Sequence, residues 1–121
     1  MNKLTDKQKT QLFEAIKASL ANQDFYKNNP QYLTILENMG EEALLFEFSD
    51  FVPEPFKMIH HLGGGEGGTE YCELVFRWPD NGTENELVKI VYSYRSYDGY
   101  DFSYAKFFWV TPKEKVVTVY E

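Results

Sequence analysis

Residues 71–95 read YCELVFRWPDNGTENELVKIVYSYR. Two runs of period-two alternation flank a turn. In the first, Cys72, Leu74, Phe76 and Trp78 fall on one face, because successive side chains of a strand point to opposite sides. In the second, Val88, Ile90, Tyr92 and Tyr94 share a face. Between them PDNGTEN is a turn signal, strongest at Asn81-Gly82. This is an antiparallel pair, and it sets the reading of the rest of the chain.

Outward from this pair the same period continues. FKMIHHL (56–62) reads as a preceding strand, FSYAKFFWV (102–110) as a following one, and VVTVY (116–120) as a last one after TPKEK. A second turn signal, Asp98-Gly99, lies in SYDGYD. Pro53 and Pro55 end regular structure upstream. Toward the N-terminus the period changes. Thr5 followed by Gln8 is a capping box, with Leu4 as its staple residue. Leu12, Phe13, Ile16 and Leu20 then recur at helical spacing, which predicts a helix over 6–21. Asn29-Pro30 is a helix start, with asparagine as the cap. Tyr32, Leu33, Leu36 and Met39 share a face, and Gly40 stops the helix, giving a second one over 30–39. EEALLFEFSDF (41–51) reads equally as a short helix or an extended segment. The expectation is one α+β domain over 1–121, a helical part over 1–40 and a sheet part over 52–121. Two N-terminal helices pack on an antiparallel meander of four to five strands.

A chain of 121 residues can bury a core without disulfide or metal support. Its single cysteine excludes an internal disulfide and suits a reducing, cytoplasmic setting. No signal-peptide pattern and no membrane-length apolar run is present. The net charge is −7, unevenly spread. Residues 1–30 carry five lysines and three acids; residues 31–85 carry two cations and eleven acids; residues 86–121 carry five of each. The acidic middle argues against direct nucleic-acid binding, which needs a basic surface. It suits a basic partner, including one that itself binds nucleic acid.

HHLGGGEGGTEY (60–71) contains five glycines in six residues. A phosphate loop would need a following lysine and helix, and Glu66 and Glu70 would repel an anion. The run reads as a mobile connection between strands and a place of contact, with Gly64 and Gly65 at its centre. His60 and His61, adjacent on a strand, point to opposite faces and do not readily ligate one metal. One of them with Glu66 or Glu70 remains an alternative metal or catalytic site. Cys72 on the apolar face reads as a packing residue. No catalytic motif is present, and no cofactor is implied. YSYRSYDGYDFSY (92–104) is the most distinctive segment. Tyr94, Arg95, Tyr97, Asp98, Tyr100 and Asp101 combine residue types that anchor protein interfaces. With Gly64, Gly65, Glu66 and Glu70 they form the expected partner-binding set. Tyr97 and Tyr100 flank the turn and are expected to be at least partly exposed.

VPEPFKMIHHLGGGEGGTEYCELVF, YSYRSYDGYDF and VTPKEKVVTVYE together resemble a pattern in small uncharacterised proteins of tailed bacteriophages, over residues 52–121. The resemblance carries no catalytic residues. It implies a phage setting, in which proteins of this size often bind and inhibit host enzymes, including defence nucleases. The function expected is therefore a non-catalytic acidic inhibitor of a host protein in the bacterial cytoplasm. A structural homo-oligomer joined through a sheet edge is one alternative, and a small enzyme or metal-binding protein is another.

Overall fold

The computed structural model describes residues 2–63, 69–95 and 99–112, with Thr69, Glu70 and Arg95 described by backbone only. It is an α+β fold, with a helical layer against one face of a five-stranded antiparallel sheet. The elements run β1 (Asn2–Lys3), α1 (Asp6–Ala21), α2 (Asp24–Asn28), α3 (Pro30–Met39), α4 (Glu41–Phe51), β2 (Lys57–Leu62), β3 (Thr69–Arg77), β4 (Leu87–Arg95) and β5 (Gly99–Val110). Strand order is β1-β5-β4-β3-β2. The meander of four long strands is as expected from the alternation. The fifth strand is a surprise: it is the N-terminal pair Asn2–Lys3, registered against Trp109 and Phe108. The expected strand VVTVY lies outside the described residues.

The capping box of α1 is present. The Gln8 backbone N–H donates to Thr5 Oγ1 (3.1 Å), and the Thr5 backbone N–H donates to Gln8 Oε1 (2.9 Å). Gln8 Oε1 also accepts from the Trp109 indole (3.2 Å). One side chain thus satisfies the helix start and ties it to the sheet. Leu12, Phe13, Ile16 and Leu20 form the buried face of α1, with Ser19 buried among them and its hydroxyl donating to the Ile16 carbonyl (2.7 Å).

Between α1 and α3 the chain departs from expectation in two ways. NQDFYKNNP contains the five-residue helix α2, too short to display a period. Its Tyr26 is buried, and its hydroxyl donates to Glu47 Oε2 (3.3 Å). Asn29 precedes α3 as predicted, but its side chain makes no cap. Instead its amide donates back to the Phe25 carbonyl (2.9 Å). The 41–51 segment is helix α4, which buries Leu44, Leu45 and Phe48. Gly40, with φ of 107°, both stops α3 and starts α4. The residue ending α4, Val52, has φ of 40°, a left-handed conformation that is an outlier for a β-branched side chain. A cis peptide joins Glu54 and Pro55.

The core lies between helices and sheet. Cys72, Leu74 and Phe76 of β3, Val88, Ile90 and Tyr92 of β4, and Phe107 and Trp109 of β5 face it. Phe48 meets Phe56 and Phe76 edge-on, each at 5.0 Å between centroids. Trp78 stacks on Trp109 at 5.7 Å. Strand β5 changes phase partway. Val91 pairs with Lys106 but Ser93 with Asp101, so β5 spends five steps where β4 spends two. Three extra residues invert the alternation, so Phe102 and Phe107 both face the core. The Asp101 carboxylate accepts from the Ser103 backbone N–H (2.9 Å) and hydroxyl, which fixes the bulge. Tyr104 projects from it, 87% exposed.

Candidate functional site

A meander places alternate connections at the same end of its sheet. Arg95 pairs with Thr69 on one side and with Gly99 on the other. The glycine-rich connection after Leu62 and the turn after Arg95 therefore leave neighbouring strand ends. The register brings together Glu70, Tyr94, Arg95 and Tyr100, since Glu70 pairs with Tyr94 and Tyr94 with Tyr100. Asp101 follows, pairing with Ser93 and engaged with Ser103. Gly64, Gly65, Glu66, Tyr97 and Asp98 lie outside the described residues, as do the side chains of Glu70 and Arg95 and the expected mobility of the glycine run.

The aromatic side chains at this end form a cluster on the helix side of the sheet. Tyr92 stacks on Phe102 at 4.5 Å, Tyr94 meets Tyr100 at 5.1 Å, and Tyr92 meets Tyr100 at 5.7 Å. Tyr92 is buried, while Tyr94 and Tyr100 are half-buried against the core. Burial, then the proximity of Cys72 and Tyr100, pushes the Tyr92 phenol above its ordinary value. It therefore stays neutral at physiological pH, a hydrogen-bonding group and not a base.

Beside the cluster lies a cleft of about 250 Å³ between α4 and the strands. Phe46, Ser49 and Asp50 line it from α4, Met58 and His61 from β2, Tyr92 from β4 and Tyr100 from β5. Positions 46, 49 and 50 are i, i+3 and i+4 of a helix, hence one face. Phe46 is 51% exposed although its ring lies 6.5 Å from that of Tyr100. The His61 ring and the Tyr92 hydroxyl share a hydrogen bond of 3.2 Å.

Met58, Phe46, Ser49, Asp50 and the cleft role of His61 were not legible in the sequence. Segment 41–51 had no assigned period, and so no face. The α4 repeat Phe46, Ser49, Asp50 was the available signal, but it becomes one only once the segment is known to be helical.

Gly63 opens the glycine run and is fixed by contact. Its φ is 101°, and a Cβ built there would meet Cys72 Sγ and the Tyr71 carbonyl oxygen at 2.6 Å each. The strand therefore enters the connection pressed against β3, and only glycine fits.

His60 and His61 do point to opposite faces. His61 faces the cleft, while His60 Nε2 lies 3.5 Å from Glu73 Oε1 on the face of the sheet away from the helices. Glu73 there also pairs with Lys89 Nζ (2.9 Å) and accepts from the Tyr71 hydroxyl (3.3 Å). The Lys89 hydrogen bond chiefly holds the Glu73 carboxyl below its ordinary value, and Glu73 in turn raises Lys89. Among the described residues no group of three His, Cys, Asp or Glu side chains is placed to hold a metal ion, and no helix is long and apolar enough to cross a membrane. Comparison with protein-family models, curated proteins and solved structures finds no match.

Proposed function

We propose that this protein is a non-catalytic acidic binding protein, and that the end of the sheet carrying the 63–68 and 96–98 connections is its contact surface. The observation that carries the reading is the register through Arg95, which gathers two connections, two half-buried tyrosines and the aromatic cleft at one end. Concave aromatic surface with a few polar groups is what interface hot spots are made of. Exposed carboxylates of the acidic middle, Glu41, Glu42, Asp50 and Glu54, lie on α4 and just after it. They favour a basic partner. The resemblance of residues 52–121 to phage proteins supports a phage-encoded inhibitor acting on a host protein, such as a defence nuclease or a nucleic-acid-binding complex.

The test is capture from bacterial lysate at low and high salt, followed by binding of the purified partner. The reading expects one or a few basic proteins whose affinity falls steeply with salt. It expects Phe46→Ala, an exposed position, to cost roughly 2 kcal/mol or more of binding with folding intact. Salt-independent binding, or binding indifferent to Phe46, contradicts it.

A second reading is favoured by one observation: all six residues of the edge strand β2 are exposed, Ile59 and Leu62 among them. Among the described residues no strand pairs with the outer edge of β2, and such an edge is a template for a second copy. The bulge between Met58 and His60 opposes this, because it interrupts a continuous ladder. Light scattering after size exclusion separates the two, with a monomer expected for the inhibitor.

A further inference from the structure

We propose that the cleft between α4 and the strands receives an arginine side chain of the protein partner. This rests on the reading just given and names the chemistry of its central contact. At about 250 Å³ the cleft holds roughly eight waters, at about 30 Å³ each. That is below the range of drug-sized and nucleotide sites, which begins near ~300 Å³. It suits one long side chain.

The lining chooses among the residue types. Three aromatic rings, Phe46, Tyr92 and Tyr100, form the walls, and Phe46 and Tyr100 are inclined at 60° to each other. Among the described residues, Asp50 is the one carboxylate that lines the cleft, and no lysine or arginine lines it. An anion would meet Asp50, with no lysine or arginine among the described lining residues to compensate. A neutral apolar group would strip water from that carboxylate and return nothing. A cation satisfies both features, because ring faces attract positive charge and the carboxylate pairs with it.

Guanidinium fits better than ammonium. It is planar, so it lies flat on a ring face, and it is more weakly hydrated, so entering costs less. Its fork of donors can meet two oxygens among the lining residues, the Asp50 carboxylate and the Ser49 hydroxyl, which itself donates to the Phe46 carbonyl (3.0 Å). The His61 ring is already engaged with the Tyr92 hydroxyl, which holds that wall in place.

The test is an NMR titration of the full chain, following side-chain signals of Phe46, Met58, Tyr92 and Tyr100. The ligands are N-acetyl-arginine amide and its neutral isostere N-acetyl-citrulline amide. The expected result is saturable shifts confined to the cleft, with a Kd on the order of millimolar. Citrulline should bind several-fold more weakly, and Asp50→Asn should weaken arginine about threefold to fivefold without changing the fold. Equal shifts with citrulline, shifts scattered over the surface, or no effect of Asp50→Asn overturn the proposal. If arginine fails while a basic partner still binds with steep salt dependence and sensitivity at Phe46, the cleft assignment falls and the binding reading stands. If arginine seats in the cleft but no basic protein is captured, the cleft assignment holds and the inhibitor reading falls.

Discussion

Gly63→Ala isolates what the first glycine of the run does. Two costs are expected. The left-handed backbone, at φ of 101°, opposes a Cβ by about 1–2 kcal/mol. The contact adds a second cost, because two of the three atoms the Cβ would meet belong to the backbone of β3, at 2.6 and 2.9 Å. A central strand cannot yield as a side-chain tip does, so overpacking of about 1–3 kcal/mol follows. Reduced freedom of the unfolded chain returns about 0.4–1 kcal/mol. Gly82→Ala is the matched control: φ is 80°, and nothing lies within 4 Å of the added atom. It has the backbone cost without the contact. Urea unfolding followed by the fluorescence of Trp78 and Trp109, both buried, reads the difference. Gly63→Ala should be less stable than Gly82→Ala by about 1–3 kcal/mol, a midpoint shift of roughly 1 M. Equal losses in the two variants would refute the close approach of Gly63 to β3.

Other expectations concern the joints of the fold. Gln8→Ala should lose about 1–2 kcal/mol by urea unfolding, because the Thr5 N–H and the Trp109 indole lose one acceptor together. Gln8→Glu, which keeps an oxygen there, should lose less. Glu73→Gln should lose about 1–2 kcal/mol at neutral pH, where a mostly buried Lys89 loses its counter-charge. Because the folded Glu73 carboxyl sits below its ordinary 4.5, its contribution is present above that pH and is lost as pH falls through the folded value. The gap between variant and parent should therefore shrink toward zero in strong acid, and a gap constant with pH would deny the charge its role.

How much the sequence disclosed depended on element length. Residues 71–95 alternate cleanly because β3 and β4 are long and central, with one face on the core. Helix α1 announced itself through Thr5, Gln8 and four apolar positions. Segment 41–51 did not, since exposed Phe46 and Phe51 blur the helical stripe made by Leu44, Leu45 and Phe48. Helix α2 and strand β1 are five and two residues long, too short for any period. Tertiary contact decides them: Tyr26 against Glu47, and Asn2–Lys3 against the end of β5. The phase change at Asp101–Ser103 lies inside a run that reads as a single strand. For the candidate site, tyrosines near the turn were visible as types, while their meeting with α4 depended on packing between residues far apart in the chain.

The proposed contact surface is tested most directly by hydrogen–deuterium exchange of the chain alone and bound to a captured partner. Added protection is expected in peptides covering α4, the His61–Tyr71 stretch and Tyr92–Phe102. Protection confined to the face away from the helices, around Glu73 and Lys89, or to the edge of β2 with the cleft unchanged, would contradict the placement of binding at this end of the sheet.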